Sequence, residues 1–292
     1  MESPVGHAGA DSTRVVLGPA FLARLERFVA RARASSARDE GRRGVAPGQG
    51  VELEGHRPYR EGEDLRDLDW EMLARLGRAW VRVRRAERGE RLALVLDTSA
   101  SMGIGCPSKL EHACELATAL ALATVVQGGS AELLAHGVDG AVERSALRSR
   151  PDLPEWLEFL RRRIARGERP LREVLRHPRL SRASRVVVLG DLMDLDPAEV
   201  LAHARRGCRA SAIAVLARRE LAPSRAEGVE WFDPERGDAL ALALDARAID
   251  AYGRVLEERL GAWRSAFTRR GQFYRVTPSD ADFEVLAAEL LA

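Results

Sequence analysis

The chain has 292 residues, a formal net charge of +2, 46% hydrophobic and 31% charged residues, a balance that fits a soluble globular protein large enough for one α/β domain plus an appendage. Its longest apolar segments, near Ala117 to Val126 and Val186 to Leu189, fall short of the roughly 20 residues a bilayer span needs, so no membrane span is expected. Lys109 is the single lysine among 46 basic residues, and runs such as Arg161 to Arg163 are interleaved with acids, which argues against a dedicated nucleic-acid face. The first ten residues show no basic segment followed by an apolar core. Cys106, Cys114 and Cys208 form no C-x-x-C pair, so reduced thiols and a cytoplasmic location are expected.

In chain order, residues 1–17 are small and polar without period and are expected to be disordered at least to Asp11. From Gly18 to about Ala37, Phe21, Leu22, Leu25, Phe28 and Val29 fall on one stripe of an amphipathic helix that must dock on something. A Gly-rich, charged linker follows. The stretch from Gly55 to Arg84 reads as an extended Pro-Tyr segment, a turn at Glu61 to Glu63, a short helix near Trp70 to Arg75 and a strand from Ala79 to Arg84. Its acids Asp64, Asp67 and Asp69 interleave with Arg60, Arg66 and Arg75, a density that favours a paired charge network.

Leu92 to Leu96 has the length and apolarity of a buried parallel strand, and it stops at Asp97 and a hydroxyl-rich turn. Open α/β sheets place their binding sites at such strand ends. Asp97, Ser99 and Ser101 offer one carboxylate and two hydroxyls, hard oxygen donors that suit Mg²⁺ or Mn²⁺. The same side chains can instead cap a helix or order a turn.

Ser108 to Gln127 is a helix capped by Ser108, its positive dipole end near Ser101, with His112 as a packing or surface residue. Strands are expected at Ala131 to Ala135, Ala141 to Arg144, Arg185 to Leu189, Ser211 to Leu216 and Gln272 to Val276. Helices are expected at Leu153 to Ile164, Leu171 to His177, Pro197 to Arg206, Asp245 to Arg270 and Phe283 to Leu291. Val229 to Asp233 and Ala239 to Leu244 read as an antiparallel pair decorating the sheet edge. The alternation of strand and helix implies a doubly wound, mostly parallel α/β sheet flanked by helices, with the N-terminal helix and extended segment packed on it. No G-x-G-x-x-G or G-x-x-x-x-G-K-[ST] loop occurs, so a nucleotide site has no support.

D-x-S-x-S at Asp97, Ser99 and Ser101 resembles the metal-ion-dependent adhesion site of von Willebrand factor A domains, in which a Thr and a second Asp from later loops complete the donors and a partner's carboxylate completes the metal's coordination. The longer run from Arg57 to Met102, R-P-Y-R-x-G-[ED]-D-x-R-x-[IL]-D-W followed by a strand and L-D-x-S-x-S-M, resembles the bacterial domain of unknown function family 58, which sets this signature ahead of a von Willebrand factor A-like domain. Three regions are expected: the disordered N-terminus 1–17, the N-terminal helix with the family signature 18–88, and the von Willebrand factor A-like domain 89–292. The resemblance implies Asp191 as the second Asp, with Asp194 as a substitute, and a Thr from the loop Glu168 to Leu171; this sequence departs there, with no Thr or Ser in the loop and Arg169 as the expected occupant. With that ligand lost, Mg²⁺ or Mn²⁺ affinity should fall, and an inward Arg169 would receive the partner's carboxylate itself.

The resemblance also implies a non-enzymatic protein–protein interaction module, an adaptor for a MoxR-type AAA+ ATPase or its client. An alternative is a Mg²⁺-dependent phosphotransferase or phosphatase with Asp97 as nucleophile. Such enzymes carry a second Asp where this chain has Ser99, which cannot move a proton at neutral pH.

Overall fold

In the computed structural model the described residues are 15–42, 53–59, 68–84, 89–205, 207–224 and 226–291. They divide into two units, one of residues 33–89 and the other of residues up to 32 and from 90 onward. The boundary therefore falls inside the first helix, α1 (Pro19–Arg42), rather than before it. The reason is burial: Phe21, Leu25, Phe28 and Val29 are all in the core of the larger unit, together with Val15 and Leu17. Order thus begins earlier than the expected end of the disordered segment at residue 17, while residues 1–14 lie outside the described residues.

In the smaller unit, β1 (Leu53–Pro58) and β2 (Trp80–Arg84) pair antiparallel, with α2 (Trp70–Leu76) between them in sequence. Asp69 caps α2, its carboxylate accepting the N–H groups of Glu71 and Met72 at 3.1 and 3.0 Å. Gly77 ends the helix at φ 64°, a conformation a glycine reaches without Cβ strain. Of the other members of the expected charge network, Arg75 lies in the last turn of α2, while Arg60, Asp64, Arg66 and Asp67 lie outside the described residues, as does the turn expected at Glu61 to Glu63.

The larger unit continues through β3 (Arg91–Leu96), α3 (Lys109–Val126), β4 (Ser130–His136), β5 (Val142–Leu147), α4 (Leu153–Arg161), α5 (Leu171–Leu175) and β6 (Arg185–Gly190). It closes with α6 (Pro197–Leu201), β7 (Arg209–Leu216), α7 (Arg218–Leu221), β8 (Ala226–Phe232), β9 (Ala239–Leu244), α8 (Ala246–Arg269), β10 (Phe273–Pro278) and α9 (Phe283–Leu291). Six strands form one sheet in the order β10-β7-β6-β3-β4-β5, parallel except for β5 at the edge. This is the doubly wound, mostly parallel sheet expected from the sequence.

Alternation along β3 divides the core into two layers. Leu92, Leu94 and Leu96 face one cluster with α1, α3, α4 and α9, while Ala93 and Val95 face another with α5, α6 and α8. Because successive connections leave β3 first toward β4 and later toward β6, the chain reverses its winding direction between β3 and β6. A crevice opens beyond the carboxyl ends of two strands at such a reversal.

Several expected elements differ. β8 and β9 pair with each other as a separate two-stranded sheet instead of extending the main one. α6 stops at Leu201. α4 ends at Arg161, and the buried Arg163 turns its guanidinium back onto the carbonyls of Phe159 and His136, both at 3.1 Å. No helix among the described residues is long and apolar enough to cross a membrane.

Candidate functional site

Asp97 follows β3 and Asp191 follows β6, so the sheet itself brings the two acids to the reversal point. The Asp97 N–H donates to Leu189 O at 2.9 Å, extending the strand ladder by one rung. Asp97 Oδ1 then accepts the N–H of Ser99 at 2.9 Å, an Asx turn that swings the serines back over the strand ends. Ser99 Oγ and Ser101 Oγ lie 3.1 Å apart, and the Ser101 hydroxyl donates to Asp191 Oδ2 at 2.9 Å. The four residues expected to converge, Asp97, Ser99, Ser101 and Asp191, are joined in one polar chain.

Two backbone features hold Asp191. Gly190 leaves room for Asp97: a Cβ there would stand 2.7 Å from Asp97 Cβ. Leu192, buried, adopts φ 63°, a left-handed conformation rare for a leucine. That turn lets the Met193 N–H donate to Asp191 Oδ1 at 3.2 Å.

The residue the sequence reading passed over is Lys109. Its side chain is 0% exposed, and its Nζ donates to Asp191 Oδ2 at 3.0 Å and to Glu220 Oε1 at 2.9 Å. Glu220 is fixed in turn by the Ala217 N–H at 2.6 Å. Burial alone would lower the lysine's pKa, but Asp191 and Glu220 outweigh it and raise it above the ordinary value. Burial would likewise raise Asp191, and the ammonium holds it below the usual carboxylate range instead. Asp97 has no such partner; its burial and the charge of Asp191 push its pKa up to about 7. On the solvent side, Glu235 in the β8–β9 turn faces Ser101, its carboxyl raised by burial against the opposing hydrogen bonds from Ser101.

Arg169 does not enter the crevice. Its guanidinium donates to the carbonyls of Gly137 and Val138 at 2.5 and 3.0 Å, fastening its loop to the β4–β5 turn. The loop instead meets the Asp97 turn through backbone, Arg166 N–H to Thr98 O at 3.1 Å and Ala100 N–H to Gly167 O at 3.0 Å. In place of the expected inward Arg169, the guanidinium is held by the carbonyls of the β4–β5 turn. Asp194, the substitute for Asp191, is not among the joined residues.

The oxygen spacings of 3.1 and 2.9 Å match the edge of an octahedron around an ion of the size of Mg²⁺, about 3.0 Å for metal–oxygen bonds near 2.1 Å. The charge does not match. Among the described residues no three His, Cys, Asp or Glu side chains group to hold a metal, and the Asp191 oxygen that faces the serines already carries an ammonium. A divalent ion about 4 Å from that ammonium would be repelled by roughly 8 kcal/mol at an effective dielectric near 20. The donor set therefore fits a cation in size and not in charge.

A family model described as "Protein of unknown function DUF58" matches residues 55–258. The chain belongs to the DUF58 family. Similar relatives of this DUF58 chain include the uncharacterized proteins Rv1480 of Mycobacterium tuberculosis and Mb1516 of Mycobacterium bovis, each 27% identical over 227 residues, covering 73% of this chain and 69% of the relative. Among solved structures, this DUF58 chain is similar to the conserved hypothetical protein BatB from Bacteroides thetaiotaomicron, with a TM-score of 0.44 and 18% identity over 69% of this chain and 97% of that one. It is also similar to the SpRpn10 VWA domain, with a TM-score of 0.37 and 10% identity over 69% and 94% of the two chains.

Proposed function

We propose that this DUF58 chain is a non-enzymatic protein–protein interaction module, an adaptor that works with a MoxR-type AAA+ ATPase and receives an acidic residue of its partner at the β3–β6 crevice. The observation that carries this reading is the convergence of Asp97, Ser99, Ser101 and Asp191 at the winding reversal, where doubly wound sheets bind their ligands. We take Ile104 and Met193 as the rim of the crevice: 38% and 36% exposed, they follow Ser101 and Asp191 in the chain by three and two residues and offer apolar surface. The ATPase as partner is what the resemblance to the family implies, and it is proposed on that ground alone. Phosphoryl transfer fits less well, because Ser99 cannot act as the acid and Asp97 Oδ1 is held by a backbone N–H.

The test is biolayer interferometry of the full chain against a MoxR-type ATPase of the same organism. Ile104→Asp with Met193→Asp should weaken binding by about tenfold or more. Absence of binding, or binding that the rim pair leaves unchanged, overturns the reading.

A further inference from the structure

Lys109 occupies a place that local preference does not explain. It is the first residue of α3, just after the Ser108 cap, and a cation there opposes the helix dipole. It is also fully enclosed, which an ammonium accepts only when paired. Every other basic side chain of the 46 is an arginine. At this one point the slot between Asp191 Oδ2 and Glu220 Oε1, reached at 3.0 and 2.9 Å, holds a compact ammonium on an unbranched stem. A planar guanidinium has a different shape and fixed donor directions.

The Asp191 carboxylate is already engaged at both oxygens. Asp191 spends Oδ1 on the Met193 N–H and Oδ2 on Ser101 and Lys109. The loop that would bring a hydroxyl brings only backbone, through Arg166 and Gly167.

We infer that Lys109 is the resident cation of the docking site, holding Asp191, and through Ser101 the serine turn, in the arrangement that a divalent ion would otherwise impose, so that the site assembles and docks without metal. This rests on the docking reading for what the site is for, and not for how it is held together. Lys109 is a positioning residue: enclosed and paired with two carboxylates, it sets the serine hydroxyls and touches no partner. Docking is then insensitive to chelators.

The test is titration of Mn²⁺ into the full chain, followed by the electron paramagnetic resonance of free Mn²⁺, with thermal melting in Mg²⁺ and in EDTA. Wild type should hold no Mn²⁺ at submillimolar concentrations and melt at the same temperature in all conditions. Lys109→Ala, which empties the slot and leaves both carboxylates, should bind Mn²⁺ about tenfold or more tightly than wild type and be stabilised by it. Mn²⁺ binding by wild type that Asp97→Asn abolishes overturns the inference, as does a folded Lys109→Ala that gains no affinity. The wild-type measurement needs no variant, so it decides even where Lys109→Ala does not fold. ATPase binding measured with and without EDTA separates the two ideas. Binding that EDTA abolishes and Mg²⁺ restores overturns the inference and upholds the docking reading. A metal-free site that binds no ATPase upholds the inference and overturns the reading.

Discussion

Gly190 and Asp97 stand side by side at the ends of β6 and β3, so close that a methyl group on Gly190 would lie 2.8 Å from Asp97 Oδ2 and 2.7 Å from its Cβ. Gly190→Ala therefore has to push the acid out of the crevice or part the two strands. The expected cost is about 1–3 kcal/mol in urea denaturation. Because the clash is with Cβ as well as the carboxyl, the cost should persist in an Asp97→Ala background and shrink in Asp97→Gly, which a double-mutant cycle reads directly.

Substitution of Lys109 separates charge from shape. Lys109→Arg keeps the charge and should still destabilise by about 1–3 kcal/mol, since the enclosed slot has no room for the larger planar head. Lys109→Met keeps the stem and strands Asp191 and Glu220, and a loss of about 3–5 kcal/mol is expected. Equal stability of Lys109→Met and wild type in chemical denaturation would mean that the two carboxylates do not need the ammonium.

His112 gives the fold a slope in acid. Its side chain is buried and its Nε2 has no hydrogen-bond partner among the described residues; burial lowers its pKa to about 4, with Asp280 opposing the effect and Arg24 adding to it. Between that value and the ordinary 6.5 the unfolded chain binds a proton that the folded chain refuses. This contribution is complete above pH 6.5 and is lost as pH falls toward 4, on the order of 3 kcal/mol in all. Glu115, raised to about 7 chiefly by burial, works with the opposite sign, so the comparison is between variants. His112→Leu should flatten the acid side of the stability profile relative to wild type; parallel profiles would refute the assignment.

The docking of α1 predicts a large effect far from the crevice. Phe21 meets Phe283 edge-on at a ring distance of 5.3 Å and is itself 5% exposed. Phe21→Ala should cost about 3–5 kcal/mol in thermal or urea unfolding of the larger unit. A cost below 1 kcal/mol would place α1 outside that unit's core.

Much of this was legible in the sequence, for reasons that are local. β3 and β6 are unbroken apolar runs, and strands buried on both faces leave that pattern and few others do. Asp97 follows β3 immediately, which the rule that ligand sites lie at carboxyl ends picks out, and the family resemblance pointed to Asp191 after β6. What the sequence hid are contacts set by distance along the chain. Phe21 showed that it needed a partner but not that Phe283 was the one. Glu220 and Glu235 reach the crevice from a short helix and a hairpin turn that carry no marker of their role. Arg169 was misplaced because loop side chains follow whichever carbonyls are nearest, here those of Gly137 and Val138. Lys109 did leave a signal, a positive charge on the first turn of a helix where the dipole disfavours it. Set against the absence of any other lysine, that was a request for two carboxylates.

The solitary lysine also determines how the molecule meets amine chemistry. Acylating reagents, isopeptide-forming enzymes and aldehydes find, besides the terminal amine, a single side-chain target, and its ammonium is sealed between Asp191 and Glu220. Such a reagent can mark Lys109 only in the moments when this pairing opens. The rate at which a tag accumulates on the peptide that carries Lys109, read apart from the terminal amine, is therefore a clock for the opening of the crevice.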